Sequence, residues 1–381
     1  MLEKYLIEVV SGKKSGPAAS LTLVGLSFLE GIYLLLLRTR YFLYNLNIVK
    51  SGSLDCQVVS VGNITAGGTG KTPVVRFLAE ALYKKGKRVV IVSRGYGANN
   101  QEPLIVSEGR GPLVDVKTAG DEAYMLSQLL PQIPLVIGKD RLEAGRLAVN
   151  KFQPEIILLD DGFQHWRLER DLDIVVIDAF NPFGFNRLLP RGFLREPLTA
   201  LKRAGVFIIS KADYLSPERI KEIRRTLQFY NREAIILTSS YCPSYLRLLQ
   251  TGGGAINLTP ESNDYLAQKT KFLELEEIKG KRVLAFSGIG NPDSFVKSLE
   301  GIGARVVERV NYPDHYRYNE EDFKRLSNRV QSGGIDHVVT TEKDAVKFTS
   351  AMLKHLTEIL VLGIELKLSD ESKLLDRITQ L

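Results

Sequence analysis

The stretch SVGNITAGGTGKTPVVRFL, Ser60–Leu78, constrains the fold more tightly than any other part of the chain. Its window Thr65-Ala66-Gly67-Gly68-Thr69-Gly70-Lys71-Thr72 has the spacing G-x-x-x-x-G-K-[ST], with Thr in place of the first Gly. Such a loop wraps phosphates in backbone N–H groups, and three glycines leave room for that approach. The flanks fit. CQVVSV (Cys56–Val61) is a short, β-branched apolar run, as a buried parallel strand is. Val74, Val75, Leu78, Ala79 and Leu82 then recur at helical spacing. A chance Gly-rich turn would lack both flanks. Strand, loop and helix in this order put the phosphates at a helix N-terminus, with Lys71 on the terminal phosphates and Thr72 on Mg²⁺.

The rest of the chain extends this unit. RVVIVS, PLVIG, EIILLDD, DIVVID, GVFIIS and EAIIL alternate with helical stretches such as DEAYMLSQLL and DRLEAGRLAVN. This pattern predicts an α/β fold: a P-loop NTPase-like parallel sheet with helices on both faces. TGGGAIN and the polar stretch after it read as a linker, and RVLAFSGIG, RVVERV, DHVVTT and EILVLGIEL then mark a smaller C-terminal α/β domain. The expected divisions are 1–50, 51–245, a linker at 246–278, and 279–381.

The N-terminal segment is different in kind. LTLVGLSFLEGIYLLLL (Leu21–Leu37) is strongly apolar and flanked by Lys13, Lys14, Arg38 and Arg40. Seventeen residues reach about 25 Å as a helix, short of a ~30 Å hydrocarbon core. Glu30 would cost about 2.5–3.5 kcal/mol mid-membrane. Ser20, Ser27, Gly31 and Arg38 share a face, with Glu30 beside them. A helix lying in a membrane interface accounts for this best, with a true span and a buried core helix as the alternatives. A net charge of +7, from 51 Lys and Arg against 44 Asp and Glu, permits anionic partners without choosing among them. Two cysteines, Cys56 and Cys242, suggest no disulfide framework. The four histidines show no close pairing of the kind zinc requires.

Several residues have chemistry to offer. EIILLDDG ends in Asp160 and Asp161, either of which suits the Mg²⁺-holding carboxylate of a P-loop enzyme. Asp121 and Glu122 open a helix. They complement its dipole, or one of them takes a proton from a hydroxyl attacking a γ-phosphate. Asp314, His315 and Tyr316 lie between a strand and a helix of the second domain, where His315 could partner a carboxylate. Among Arg191, Arg195, Lys202 and Arg203, Arg195 is the best placed to neutralise a phosphoryl group. Ser210-Lys211-Ala212-Asp213 is similar to the guanine-reading [NT]-K-x-D element and keeps open a GTPase or ATPase switch of the assembly-factor kind.

As a set, SVGNITAGGTGKTP, VSRGYG, GDEAYML, IGKDR, LLDDGFQHWRLERDLDIVVID, LREP, KAD, FSGIGNPDSF, YPDHYRY and TTEKDAVK resemble the tetraacyldisaccharide 4'-kinase family, the lipid A 4'-kinases of Gram-negative bacteria. They run in order from Ser60 to Lys347, and the Thr at the first P-loop position matches the family too. The resemblance implies transfer of the γ-phosphate of ATP, with Mg²⁺, to the 4'-hydroxyl of tetraacyldisaccharide 1-phosphate, forming lipid IVA. It implies work at the cytoplasmic face of the inner membrane, on a lipid partner and not on nucleic acid. It further implies Asp121 as catalytic base and His315 as its partner. Lys71 and Thr72 would serve phosphate and metal, Glu122, Asp160 and Asp161 the metal shell, and Arg195 charge neutralisation. With Asp121 and His315 assigned to different domains, catalysis is expected to need domain closure.

Overall fold

A computed structural model describes residues 2–97, 102–250, 271–356 and 358–381. Its strands are β1 (Gln57–Gly62), β2 (Val89–Ser93), β3 (Leu104–Glu108), β4 (Pro134–Ile137), β5 (Ile156–Asp160), β6 (Leu172–Asp178), β7 (Val206–Ser210), β8 (Ile235–Gln250), β9 (Lys271–Leu273), β10 (Arg282–Ser287), β11 (Arg305–Asn311), β12 (His337–Thr341) and β13 (Glu358–Leu368). The chain forms two compact units. The first comprises Met1–Arg94, Gly138–Ser240 and Leu368–Leu381; the second comprises Gly95–Ile137 and Tyr241–Lys367.

The first unit is a parallel sheet in the order β8-β7-β6-β1-β5-β2. Its inner strands are buried nearly end to end, so they read as continuous apolar runs. The helix Lys71–Lys84 buries Val74, Val75, Leu78, Ala79 and Leu82, the face its spacing predicted. Parallel strands open their C-terminal ends on one edge, where ligands of such sheets bind. Here that edge carries the P-loop after β1, Asp160 and Asp161 at β5, Ser93 at β2, Asp178 at β6 and Ser210 at β7.

The 29-residue helix Pro17–Asn45 also belongs to this unit. It is long and apolar enough to cross a membrane by length and composition. Its second half packs on the unit's core through Tyr33, Leu34, Leu37 and Tyr41, against residues that include Ile64, Phe163 and Leu194. Glu30 is satisfied there: its Oε1 accepts from the Leu188 amide at 2.8 Å, and Oε2 lies 3.6 Å from Arg187. The acid that would burden a spanning helix is thus a docking contact with protein. The opposite face leaves Leu21 76%, Phe28 71% and Leu35 65% exposed.

The second unit holds a parallel sheet, β11-β10-β12-β13, with β13 beside the later part of β8. β9 pairs antiparallel with β8, and β3 pairs antiparallel with β4. Both antiparallel pairs depart from the all-parallel expectation. The division between units also differs from the expected one. Gly95–Ile137 groups with the C-terminal residues, and the boundary after Ser240 falls inside β8. Of the expected linker at 246–278, residues 251–270 lie outside the described residues; 246–250, the end of β8, and Lys271–Leu273 are strand.

Candidate active site

In the first unit the P-loop leaves β1 and turns into its helix at Gly70, whose φ of 92° suits glycine. Gly67 has φ 111°, and no atom lies within 4 Å of a Cβ placed at Gly67 or Gly68. The loop is therefore open on that side, with bare backbone available to phosphate oxygens. Its inner side is braced. The Asn63 amide donates to the Thr65 carbonyl at 2.7 Å, and the Ala66 N–H donates to Phe193 O at 2.7 Å. Ser210 Oγ donates to Thr69 O at 2.8 Å. Lys211 Nζ reaches Gly68 O at 3.3 Å and Asp178 at 2.5 Å. The Ser-Lys-Ala-Asp element thus supports the phosphate loop through its first two residues.

Lys71 Nζ lies 3.4 Å from Asp161 and 3.4 Å from Asn63 Oδ1. Arg195 Nη1 lies 3.0 Å from both Asp161 oxygens. Burial works against ionisation of Asp161, but Lys71 and Arg195 outweigh it and hold the carboxyl below its usual range. Asp161 has φ 57°, the left-handed turn that follows β5. Asp160 is buried at the strand end, with the Ser93 hydroxyl donating to Oδ2 at 3.3 Å. Behind the pair lies Arg141, whose Nη1 donates to the carbonyls of Gly138 and Lys139. Burial lowers its pKa to about 10 against the pull of Asp161 and Asp160.

The residues assigned to Mg²⁺ in this unit, Thr72, Asp160 and Asp161, are all oxygen donors, as that ion demands. Among the described residues no group of three or more His, Cys, Asp and Glu could hold a metal by itself. Mg²⁺ fits such a sparse site, since it binds through one or two carboxylates with waters and substrate phosphates. Asp161 already answers two cations, Lys71 and Arg195. Glu122 belongs to the second unit, where Lys343 Nζ lies 3.6 Å from its Oε1.

The second unit brings Asp121 and His315 together: His315 Nδ1 is 3.4 Å from Asp121 Oδ2. Both lie in one unit, and not in the two different domains to which the sequence assigned them. Asp121 is the first residue of the helix Asp121–Leu129, capped by Gly120 at φ 83° and ψ 151°. His315 sits in a turn at φ 58°, its ring 5.1 Å from that of Tyr96. Two lysines complete the group. Lys343 Nζ is 3.2 Å from His315 Nε2 and 3.0 Å from Asp314; Lys347 Nζ is 3.7 Å from Asp121 and 3.1 Å from the fully buried Asp344. Asp344 in turn accepts from the Gly288 amide and the Thr341 hydroxyl, which fixes the turn after β12. Burial opposes the Asp121 charge, yet the His315 hydrogen bond and the two lysines prevail and hold its pKa below the ordinary value. Lys343 and Lys347 lie in TTEKDAVK, a segment that carries part of the family resemblance but whose spacing gives its lysines no role.

Chains of known kind match throughout. The family model LpxK, tetraacyldisaccharide-1-P 4'-kinase, matches residues 22–381. A tetraacyldisaccharide 4'-kinase of Halothermothrix orenii is 47% identical over 376 residues, covering 96% of this chain and 94% of its own. One of Pelobacter propionicus is 35% identical over 385 residues, covering 100% and 98%. The crystal structure of "apo" form LpxK from Aquifex aeolicus in complex with ATP aligns with a TM-score of 0.71 at 31% identity, covering 94% of this chain and 99% of that one. With a model match over nearly its whole length and relatives of this closeness, the chain belongs to the tetraacyldisaccharide-1-P 4'-kinase family.

Proposed function

We propose that this enzyme transfers the γ-phosphate of ATP to the 4'-hydroxyl of tetraacyldisaccharide 1-phosphate, the kinase step of lipid A assembly, through the residues assigned as follows. The P-loop amides of Thr65–Thr72 cradle the phosphates, and Lys71 neutralises their terminal charge. Arg195 stabilises charge on the group in transfer. Asp121, ionised at neutral pH, accepts the proton of the attacking hydroxyl, and His315 orients it. Thr72, Asp160 and Asp161 are the residues of the first unit that would hold Mg²⁺, which would supply charge neutralisation to phosphate oxygens. The observation that carries this reading is the pairing of Asp121 with His315, held in place by Lys343 and Lys347.

The exposed apolar face of the helix Pro17–Asn45, with basic residues nearby, supports attachment of the enzyme to an anionic lipid surface. The cytoplasmic face of the inner membrane is where ATP and such a substrate meet. The test uses detergent-solubilised protein, γ-labelled ATP, Mg²⁺ and tetraacyldisaccharide 1-phosphate. Label enters the lipid with the native chain. With Asp121→Asn the rate falls by about 10²–10⁴ while the KM for ATP stays nearly constant. An Asp121→Asn enzyme of native kcat removes Asp121 from the role of base.

A further inference from the structure

The apolar helix does more than display a lipid-facing surface, because four of its side chains grip the two segments that build the phosphate site. Tyr33 Oη donates to the backbone carbonyl of Arg195 at 2.8 Å. Tyr41 Oη donates to Glu196 Oε2 at 2.5 Å. Arg40 Nη2 donates to Gln164 O at 2.9 Å, and Glu30 receives the Leu188 amide. Leu188, Arg195 and Glu196 belong to the segment that carries the charge-neutralising arginine. Gln164 belongs to the turn that follows Asp161.

The backbone at Arg195 is held from both sides. Its N–H donates to Ile64 O at 2.8 Å, next to the first P-loop residue, while Tyr33 holds its carbonyl. Glu196 is 2% exposed and pairs with Arg203 at 2.9 Å. Arg203 in turn lies over the rings of Phe163 and Trp166, 4.3 and 4.5 Å from their centroids. Trp166 closes the circuit, its ring 4.6 Å from that of Tyr41. From the helix hydroxyls to the Arg195–Asp161 ion pair, every link is a hydrogen bond, an ion pair or a ring contact. Anchoring alone has no use for hydroxyls at these two points, since Leu34, Leu37 and the tyrosine rings already supply the apolar packing. The geometry points to Tyr33 and Tyr41 as positioning residues that set the Arg195–Glu196 segment, and so Arg195 itself, for phosphoryl transfer. This rests on Arg195 acting as the charge stabiliser proposed above.

The test compares full-length Tyr33→Phe, Tyr41→Phe and Arg195→Ala proteins, and each Tyr variant combined with Arg195→Ala. Three quantities are read: kcat, the KM for ATP, and cosedimentation with vesicles containing phosphatidylglycerol. Each Tyr→Phe variant keeps its ring and loses one partly buried hydrogen bond, so kcat is expected to fall about tenfold. KM for ATP stays within about twofold, and cosedimentation is unchanged. In the Arg195→Ala background, Tyr33→Phe and Tyr41→Phe have no further effect on kcat, because the group they position is gone. Native kcat in both Tyr variants overturns the inference, as does a loss that persists undiminished beside Arg195→Ala or one that tracks release from vesicles. Native kcat in Arg195→Ala overturns the charge-stabilising role as well. A slow Arg195→Ala enzyme with normal Tyr variants overturns only the inference. Should Tyr33→Phe fold poorly, Tyr41→Phe carries the same comparison.

Discussion

Gly120→Ala is a single-methyl test of how Asp121 is held. Gly120 has φ 83° and ψ 151°, backbone that is essentially confined to glycine and costs other residues about 1–3 kcal/mol. The added Cβ would stand 2.4 Å from the carbonyl oxygen of Tyr96, and real Cβ atoms essentially never come within 3.0 Å. Tyr96 O or the start of the helix must therefore retreat by at least about 0.6 Å. The neighbour is backbone, so the strain adds to the conformational cost as overpacking does, for about 2–4 kcal/mol together. In a unit of this size that lowers the melting midpoint by roughly 5–15 °C. Catalysis suffers separately. Asp121 is the next residue, and the Tyr96 ring lies against His315, so whichever side gives way, one member of the pair moves by at least about 0.6 Å. A misplacement approaching 1 Å costs up to about 10²-fold in kcat. Calorimetry and steady-state kinetics on the same preparation separate the two effects. A lowered midpoint with kcat within twofold of native would refute the claim that Asp121 must be held where it is. No change in either would refute the packing argument itself.

The remaining predictions concern single contacts. Lys347→Met removes a cation that depresses the Asp121 pKa, so the acid limb of kcat/KM moves to higher pH. Stability lent by that depressed carboxyl is present above its unfolded pKa and lost as pH falls through its folded one. Lys347→Met also leaves buried Asp344 without its ion partner, at about 3 kcal/mol in urea unfolding. His165 is lowered to about 4 by burial and by Arg141, and its Nε2 accepts the Arg141 amide at 3.2 Å. The unfolded chain therefore binds the proton more readily between pH 4 and 6.5. Stability falls by about 3 kcal/mol as pH drops through that window, and His165→Gln flattens the profile. Ser210→Ala deprives the Thr69 carbonyl of its donor and weakens ATP binding by up to about tenfold in titration calorimetry, with the lipid KM unchanged.

The sheet of the first unit was legible because its strands are covered on both faces and their apolar runs stop at chemistry-bearing residues. EIILLDD became β5 ending at Asp160, and DIVVID became β6 ending at Asp178. The sequence hid the later part of β8 for a physical reason: Pro243 interrupts the run after EAIIL, and a proline argues against continuing a strand. It also hid the unit boundary. Gly95–Ile137 contributes the Asp121 helix to the second unit although sequence order places it between strands of the first, and periodicity carries no information about such an excursion. Lys343 and Lys347 escaped notice because a charged turn after a strand is usually solvent-facing. Only the fold shows them within ion-pair range of Asp121, Glu122 and Asp314. Glu30 looked like a defect in an apolar helix, and its partner lies more than 150 residues away.

Under the proposed attachment to lipid, the uncovered face of the helix Pro17–Asn45 has a kinetic consequence. An enzyme fastened to lipid along one face meets a lipid substrate by lateral diffusion, in two dimensions. Its rate then follows the mole fraction of substrate in the surface and not the amount per volume of solution. Diluting the substrate with inert detergent or phospholipid slows such an enzyme even when every molar concentration in the tube is held constant, whereas ATP, arriving from water, continues to obey ordinary saturation.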